Sequence, residues 1–142
     1  MKQNGAFIKI EKWNSNPNLK LNGINLTTGC FFTSSSMNGL NISLGNKFND
    51  FNGLSLSAFG TIADNQNGVS IGLYNANNHL KGITIGVMNS SYELKGSQIG
   101  LVNYCKENKG IQIGVFNRSF SRGLQIGLWN LNNKRAFPFI NW

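Results

Sequence analysis

The sequence predicts an all-β repeat protein, a single β-solenoid of about 14 residues per coil with capped ends, and three observations carry that expectation. A Gly recurs at 23, 39, 53, 68, 82, 96, 110 and 123, in steps of 13 to 16 residues. The residues after each Gly alternate between aliphatic and small polar or amide side chains, the period of a strand with two unlike faces. The segments joining one run to the next, "NSSYELKG", "NYCKENKG" and "NRSFSRG", form one loop class, whereas an antiparallel meander needs two classes at opposite ends of its sheet. An antiparallel β-meander and an outer-membrane β-barrel are the alternatives, since "GIQIG" reads the same in both directions and "FPFINW" ends on an aromatic residue as barrel chains do. Against the barrel, the regular part of each unit is about eight residues, short of the ~9–11 that a spanning strand needs.

Taken in order, residues 1–22 read as an N-terminal cap, 23–135 as eight repeat units and 136–142 as a C-terminal cap in which a ninth, degenerate unit starts near Ala136. The two ends, "AFIKIEKWNSNPN" and "KRAFPFINW", hold both prolines and two of the three tryptophans, as segments that block an exposed sheet edge should. Aligned on the opening Gly, the third residue after it is always Leu or Ile: Leu26, Ile42, Leu56, Ile71, Ile85, Ile99, Ile113 and Ile126. This column is expected to form the dry face. The column before it, Asn25, Asn41, Ser55, Ser70, Thr84, Gln98, Gln112 and Gln125, falls on the polar face, where stacked amides can bond from coil to coil. A second Gly follows the aliphatic column from Gly72 onward, and the glycines together leave a low strip that a neighbouring layer or flat partner can approach. Asn75, Asn89, Asn103, Asn117 and Asn130 stand where the alternation stops and are expected at turns, because Asn tolerates left-handed backbone.

Composition narrows the function classes. The 142 residues include 17 Gly and only 13% charged side chains, with a net charge of +8 and a pI near 9.8. A positive field favours anionic partners without choosing among nucleic acid, lipid and polysaccharide. No apolar run approaches the ~20 residues of a membrane helix, and the first residues lack a signal-peptide core. Membrane association and oligomeric state stay open.

Catalytic chemistry finds no footing. Glu11, Asp50, Asp64, Glu93 and Glu107 are read as scattered, with no two at one position of consecutive units, so no paired-carboxylate mechanism is expected. His79, the one His, is read as a solvated loop residue in "NANNHLKG". Cys30 and Cys105 are read as independent small side chains rather than a disulfide, and with a single His they make no zinc set. No nucleophile elbow, calcium loop or phosphate-binding glycine loop is found, so the chain is expected to be non-enzymatic and to need no cofactor; the less favoured alternative, a small enzyme, needs acids, His or Cys from distant units to converge in one cleft.

Two columns are candidates for binding. The residue before the opening Gly is Lys81, Lys95, Lys109 and Arg122, with Arg135 before Ala136, where earlier units have Asn22, Asn38, Asn52 and Asn67. In a solenoid these cations recur every ~5 Å, a stripe suited to an acidic glycan or other polyanion, with no specific nucleic acid expected; otherwise they are gatekeepers that keep a β-rich chain soluble. Phe59, Tyr74, Met88, Val102, Phe116 and Trp129 form a large-side-chain column that is expected to pack under the adjoining loop, or, if exposed, to offer a stacking strip.

The later units, "LKGSQIGLVNYCKENKGIQIGVFNRSFSRGLQIGLWNLNNKRAFPFINW", resemble bacterial surface-repeat proteins whose copies read G-[LIV]-Q-[IL]-G-L-x-N, and "GLQIGLWNLNNKRAFPFINW" is similar to the end of Bacteroidota members. The likeness is specific over residues 68–142 and looser over 23–59. It implies a secreted or cell-surface setting and brings no catalytic residue with it.

Overall fold

The computed structural model describes residues 2–9, 19–28 and 35–142, with the backbone alone for 2–9 and Leu19. Trp13, Pro17 and Cys30 lie outside the described residues. Among the described residues nine strands follow in chain order: β1 (Lys2–Lys9), β2 (Leu19–Thr27), β3 (Ser35–Ile71), β4 (Tyr74–Leu80), β5 (Ile83–Leu94), β6 (Ser97–Asn108), β7 (Ile111–Ser119), β8 (Leu124–Leu131) and β9 (Ala136–Asn141). From β1 to β8 each pairs with the next in parallel, so the chain is a β-solenoid of roughly 14 residues per coil and neither a meander nor an antiparallel barrel.

The register puts like on like. Ile85, Ile99, Ile113 and Ile126 are successive partners, as are Asn75, Asn89, Asn103, Asn117 and Asn130. At the front, Lys2–Lys9, assigned to a cap on sequence grounds, is itself a parallel strand that sets Gly5 beside Gly23. The segments read as loops are strands too: "NSSYEL" belongs to β5, and "NYCKEN" to β6.

The largest departure from the sequence reading is which face points inward. Period-2 alternation separates two faces but does not decide which is buried, and here the amide column is inside. Gln98, Gln112 and Gln125 are 0% exposed, whereas Ile113 is 40% and Leu128 62%. The polar interior is tolerable because the amides of its Gln and Asn ladders are paired. Gln112 Nε2 donates to Gln98 Oε1 at 2.9 Å, and Gln125 Nε2 to Gln112 Oε1 at 2.8 Å. The second hydrogen of Gln125 crosses the coil to the Leu131 carbonyl at 2.9 Å.

The Asn column is also buried in the strands rather than placed at surface turns. Its Nδ2 groups donate to the next Oδ1 at 3.0, 3.0, 2.8 and 2.7 Å from Asn75 to Asn130. Each Asn from Asn75 to Asn117 also donates to the carbonyl of Ile85, Ile99, Ile113 or Ile126 in the following coil. Room for this ladder comes from the second Gly, because a Cβ at Gly100 would lie 2.6 Å from Asn89 Nδ2. Gly and Asn therefore occur together three residues apart, from Gly72 with Asn75 to Gly127 with Asn130, whereas Ser57 is followed by Gly60. At Gly53 the constraint is backbone shape, with φ of 134°, a value that disfavours any residue with a Cβ.

Among the described residues, apolar side chains fill two small internal clusters, Leu21, Met37, Phe48, Phe51 and Ala63 in the early coils and Leu80, Leu94 and Cys105 later. The chain then reverses. β9 pairs antiparallel with β8, so the residues from Ala136 onward are not a ninth coil. Asn132 Oδ1 accepts from the Lys134 and Arg135 amides to form the turn, and Asn141 Nδ2 donates to Gln125 Oε1 at 3.2 Å, ending the Gln ladder. The edge of β8 is thereby covered.

Candidate functional site

With the amides inside, the aliphatic columns form an outer face along the solenoid. Each coil contributes its Ile or Leu and, in most coils, the aliphatic residues two places to either side, such as Ile111, Ile113 and Val115; Ser97 and Thr28 are exceptions. In the last coils this face is grooved, with an open volume of about 660 Å³. Its floor is the backbone of Gly100, Gly114 and Gly127. One wall is Ile99, Ile113 and Ile126, the other Val115 and Leu128, and Phe139 and Ile140 of the terminal strand close one end.

The column of large side chains borders this face on one side. Phe59, Tyr74, Met88, Phe116 and Trp129 are exposed, contrary to the expectation that they pack beneath a loop, because those loops are strands continuing around the coil. Val102 alone of the described column is half-buried.

The basic column borders the other side. Lys81, Lys95 and Lys109 donate their backbone N–H groups to Gln66, Leu80 and Leu94 one coil back, at 2.9, 2.8 and 2.7 Å, and so occupy equivalent places. In the earlier coils the same position is an exposed Asn ladder, with Asn38 donating to Asn22, Asn52 to Asn38 and Asn67 to Asn52. Arg122 follows after a coil one residue shorter. Arg135 is not in this stack; it lies on the terminal turn, its guanidinium 4.9 Å from the Trp142 ring.

Nor is the column a row of bare cations. Glu93 and Glu107 do share one position of consecutive units and are paired in register with His79, an arrangement the 14-residue spacing 79, 93, 107 already contains. Glu93 receives Lys109 at 2.8 Å, Lys95 at 3.1 Å and His79 Nδ1 at 3.1 Å, and Glu107 lies 3.5 Å from Lys109. His79 is thus a strand residue with an acidic partner, not an isolated loop residue. Hydrogen bonds from Lys109, then Lys95, then His79 lower the Glu93 pKa from its ordinary 4.5 to about 2, so the carboxylate keeps its charge far into acid. The same contact raises the pKa of Lys109. Among the described residues, Lys81 and Arg122 form no ion pair.

Comparison with family models, curated proteins and solved structures finds no match to this chain.

The other reactive groups are quiet. Cys105 is fully buried, and desolvation pushes its thiol up to about 12, out of the thiolate range at neutral pH. Among the described residues no three of His, Cys, Asp and Glu converge as a metal set. Among the described residues, no helix is long and apolar enough to cross a membrane.

Proposed function

We propose that the chain is a non-enzymatic structural or adhesion repeat module, with a cell-surface or secreted setting, and that it makes contact through its outer aliphatic face. One observation carries this reading: the amide ladders occupy the interior and leave the aliphatic columns facing outward. Such a surface is rare on a chain that works alone, because contiguous apolar patches beyond a few hundred Å² mark interaction sites. A second reading, adhesion to an acidic glycan along Lys81, Lys95, Lys109 and Arg122, draws on the stacking of those cations; Glu93 and Glu107 offset part of their charge.

The test is retention of the purified chain on an alkyl-terminated monolayer and on immobilised sulfated glycan, each at low salt and at about 1 M salt, where the Debye length is ~3 Å. The proposal expects binding to the alkyl surface that persists in high salt and is lost in an Ile99→Ser, Ile113→Ser double variant. Retention on the glycan alone, removed by salt and by the Lys95→Gln, Lys109→Gln, Arg122→Gln triple variant, would move the contact to the basic column. Absence of retention on both would end the adhesion reading.

A further inference from the structure

The outer face has a relief that only a few partners can match. The Ile column and the Leu/Val column stand as two ridges with the Gly backbone between them, and both repeat at the coil spacing of ~4.8 Å. A second copy of this chain carries the same ridges, the same groove and the same repeat distance. We infer that the face pairs with a second copy, the Ile ridge of each seated in the Gly groove of the other. This inference rests on the reading that the outer aliphatic face is the contact surface, and it names the partner.

Size and margins both bear on it. Eight coils at ~4.8 Å by five residues at ~3.3 Å give a projected face of roughly 630 Å², and two such faces bury on the order of 1,300 Å². That passes the ~1,000 Å² expected of a specific interface. The margins fix the orientation. Basic residues border the face on one side and Tyr74, Phe116 and Trp129 on the other. A two-fold axis across the solenoid reverses the coil order and sets Lys95 and Lys109 against Asn52 and Asn38 in the second copy, which offer neither charge nor ring. A two-fold axis parallel to the solenoid instead keeps coil on coil and brings Lys109 and Arg122 beside Phe116 and Trp129 of the second copy, where cation–π contacts form. The paired assembly has both solenoid axes pointing the same way.

Sedimentation of the whole chain at micromolar concentration is expected to give twice the 15.6 kDa chain mass. Leu101→Lys with Val115→Lys, both at exposed positions, should give a monomer whose circular dichroism is unchanged; Leu101→Ser with Val115→Ser is the milder pair if the lysines disturb folding. Orientation is read with Ile126→Cys in a Cys30→Ser background. A short bismaleimide should join two copies of this variant, since parallel axes bring the two 126 positions together, whereas the crossed arrangement sets each against Leu26. Absence of the cross-link, a dimer that survives both double variants, or species larger than a dimer would overturn the proposal. A monomeric parent chain overturns it as well. If that monomer still binds the alkyl monolayer or sediments with phosphatidylglycerol vesicles, the contact face stands with a different occupant; if it binds neither, the face reading falls too.

Discussion

Replacing Asn103 with Ala is expected to lower stability by about 3–5 kcal/mol, or the midpoint of thermal unfolding by roughly 10–15 °C for a chain of this size. Asn103 is fully buried and sits in the middle of the Asn ladder. Its Nδ2 donates to Asn117 Oδ1 and to the Ile113 carbonyl, both at 2.8 Å, and its Oδ1 accepts from Asn89 Nδ2 at 3.0 Å. Truncation removes all three bonds and leaves a donor below and an acceptor above without a partner where water does not reach, each costing ~1–3 kcal/mol. Asn103→Asp keeps the size but turns two donors into acceptors facing acceptors, and is expected to be at least as harmful. Thermal unfolding followed by circular dichroism checks both. A loss below ~1 kcal/mol for Asn103→Ala would mean that the ladder contributes little to the fold.

Gly114→Ala is expected to cost about 3 kcal/mol or more, although it adds a single methyl group. The new Cβ would run into the Gly100 backbone oxygen, with Asn103 Nδ2 at 2.5 Å and Asn117 Oδ1 at 3.1 Å. None of these can yield cheaply, since the two amides belong to the buried ladder and the oxygen to the backbone of the coil below. The adjoining exposed Val115→Ala should cost under ~1 kcal/mol, which separates crowding of the ladder from any general sensitivity of β7. Urea unfolding of the two variants side by side makes the comparison. Equal stabilities would show that the second Gly is not required by the amides next to it.

These two residues also show how far the sequence could be read. The repeat, the parallel stacking and the amide ladders were legible, because in-register stacking is the arrangement that makes identical residues every 14 places neighbours. The sidedness was not. In a sandwich or barrel the aliphatic face turns inward, but a narrow coil has little interior, and stacked Gln and Asn side chains satisfy each other there while Ile113 and Val115 face out. The pairing of Gly100 with Asn103 was visible as spacing, yet its reason, a side chain lying over a missing Cβ, needs the coil closed in space. The Glu93–Lys109 contact could have been found from the 14-residue recurrence of 79, 93 and 107 alone, since those positions must stack once the register is known. Arg135 falls in line with the basic column by spacing, yet β9 reverses instead of continuing the solenoid, and nothing before the turn at Asn132 marks the reversal.

The central claim, an amide interior beneath an aliphatic exterior, is tested most directly by hydrogen–deuterium exchange of the side-chain NH₂ groups, followed by NMR on the unaltered chain. The buried amides of Asn89, Asn103, Asn117, Gln112 and Gln125 are expected to exchange roughly a hundredfold or more slowly than the exposed amides of Asn38 and Asn78, because exchange from the ladder requires the coils to open. Rapid exchange of the Gln112 and Asn103 side chains, at rates like those of Asn38 and Asn78, would place the amides at the surface and contradict the account.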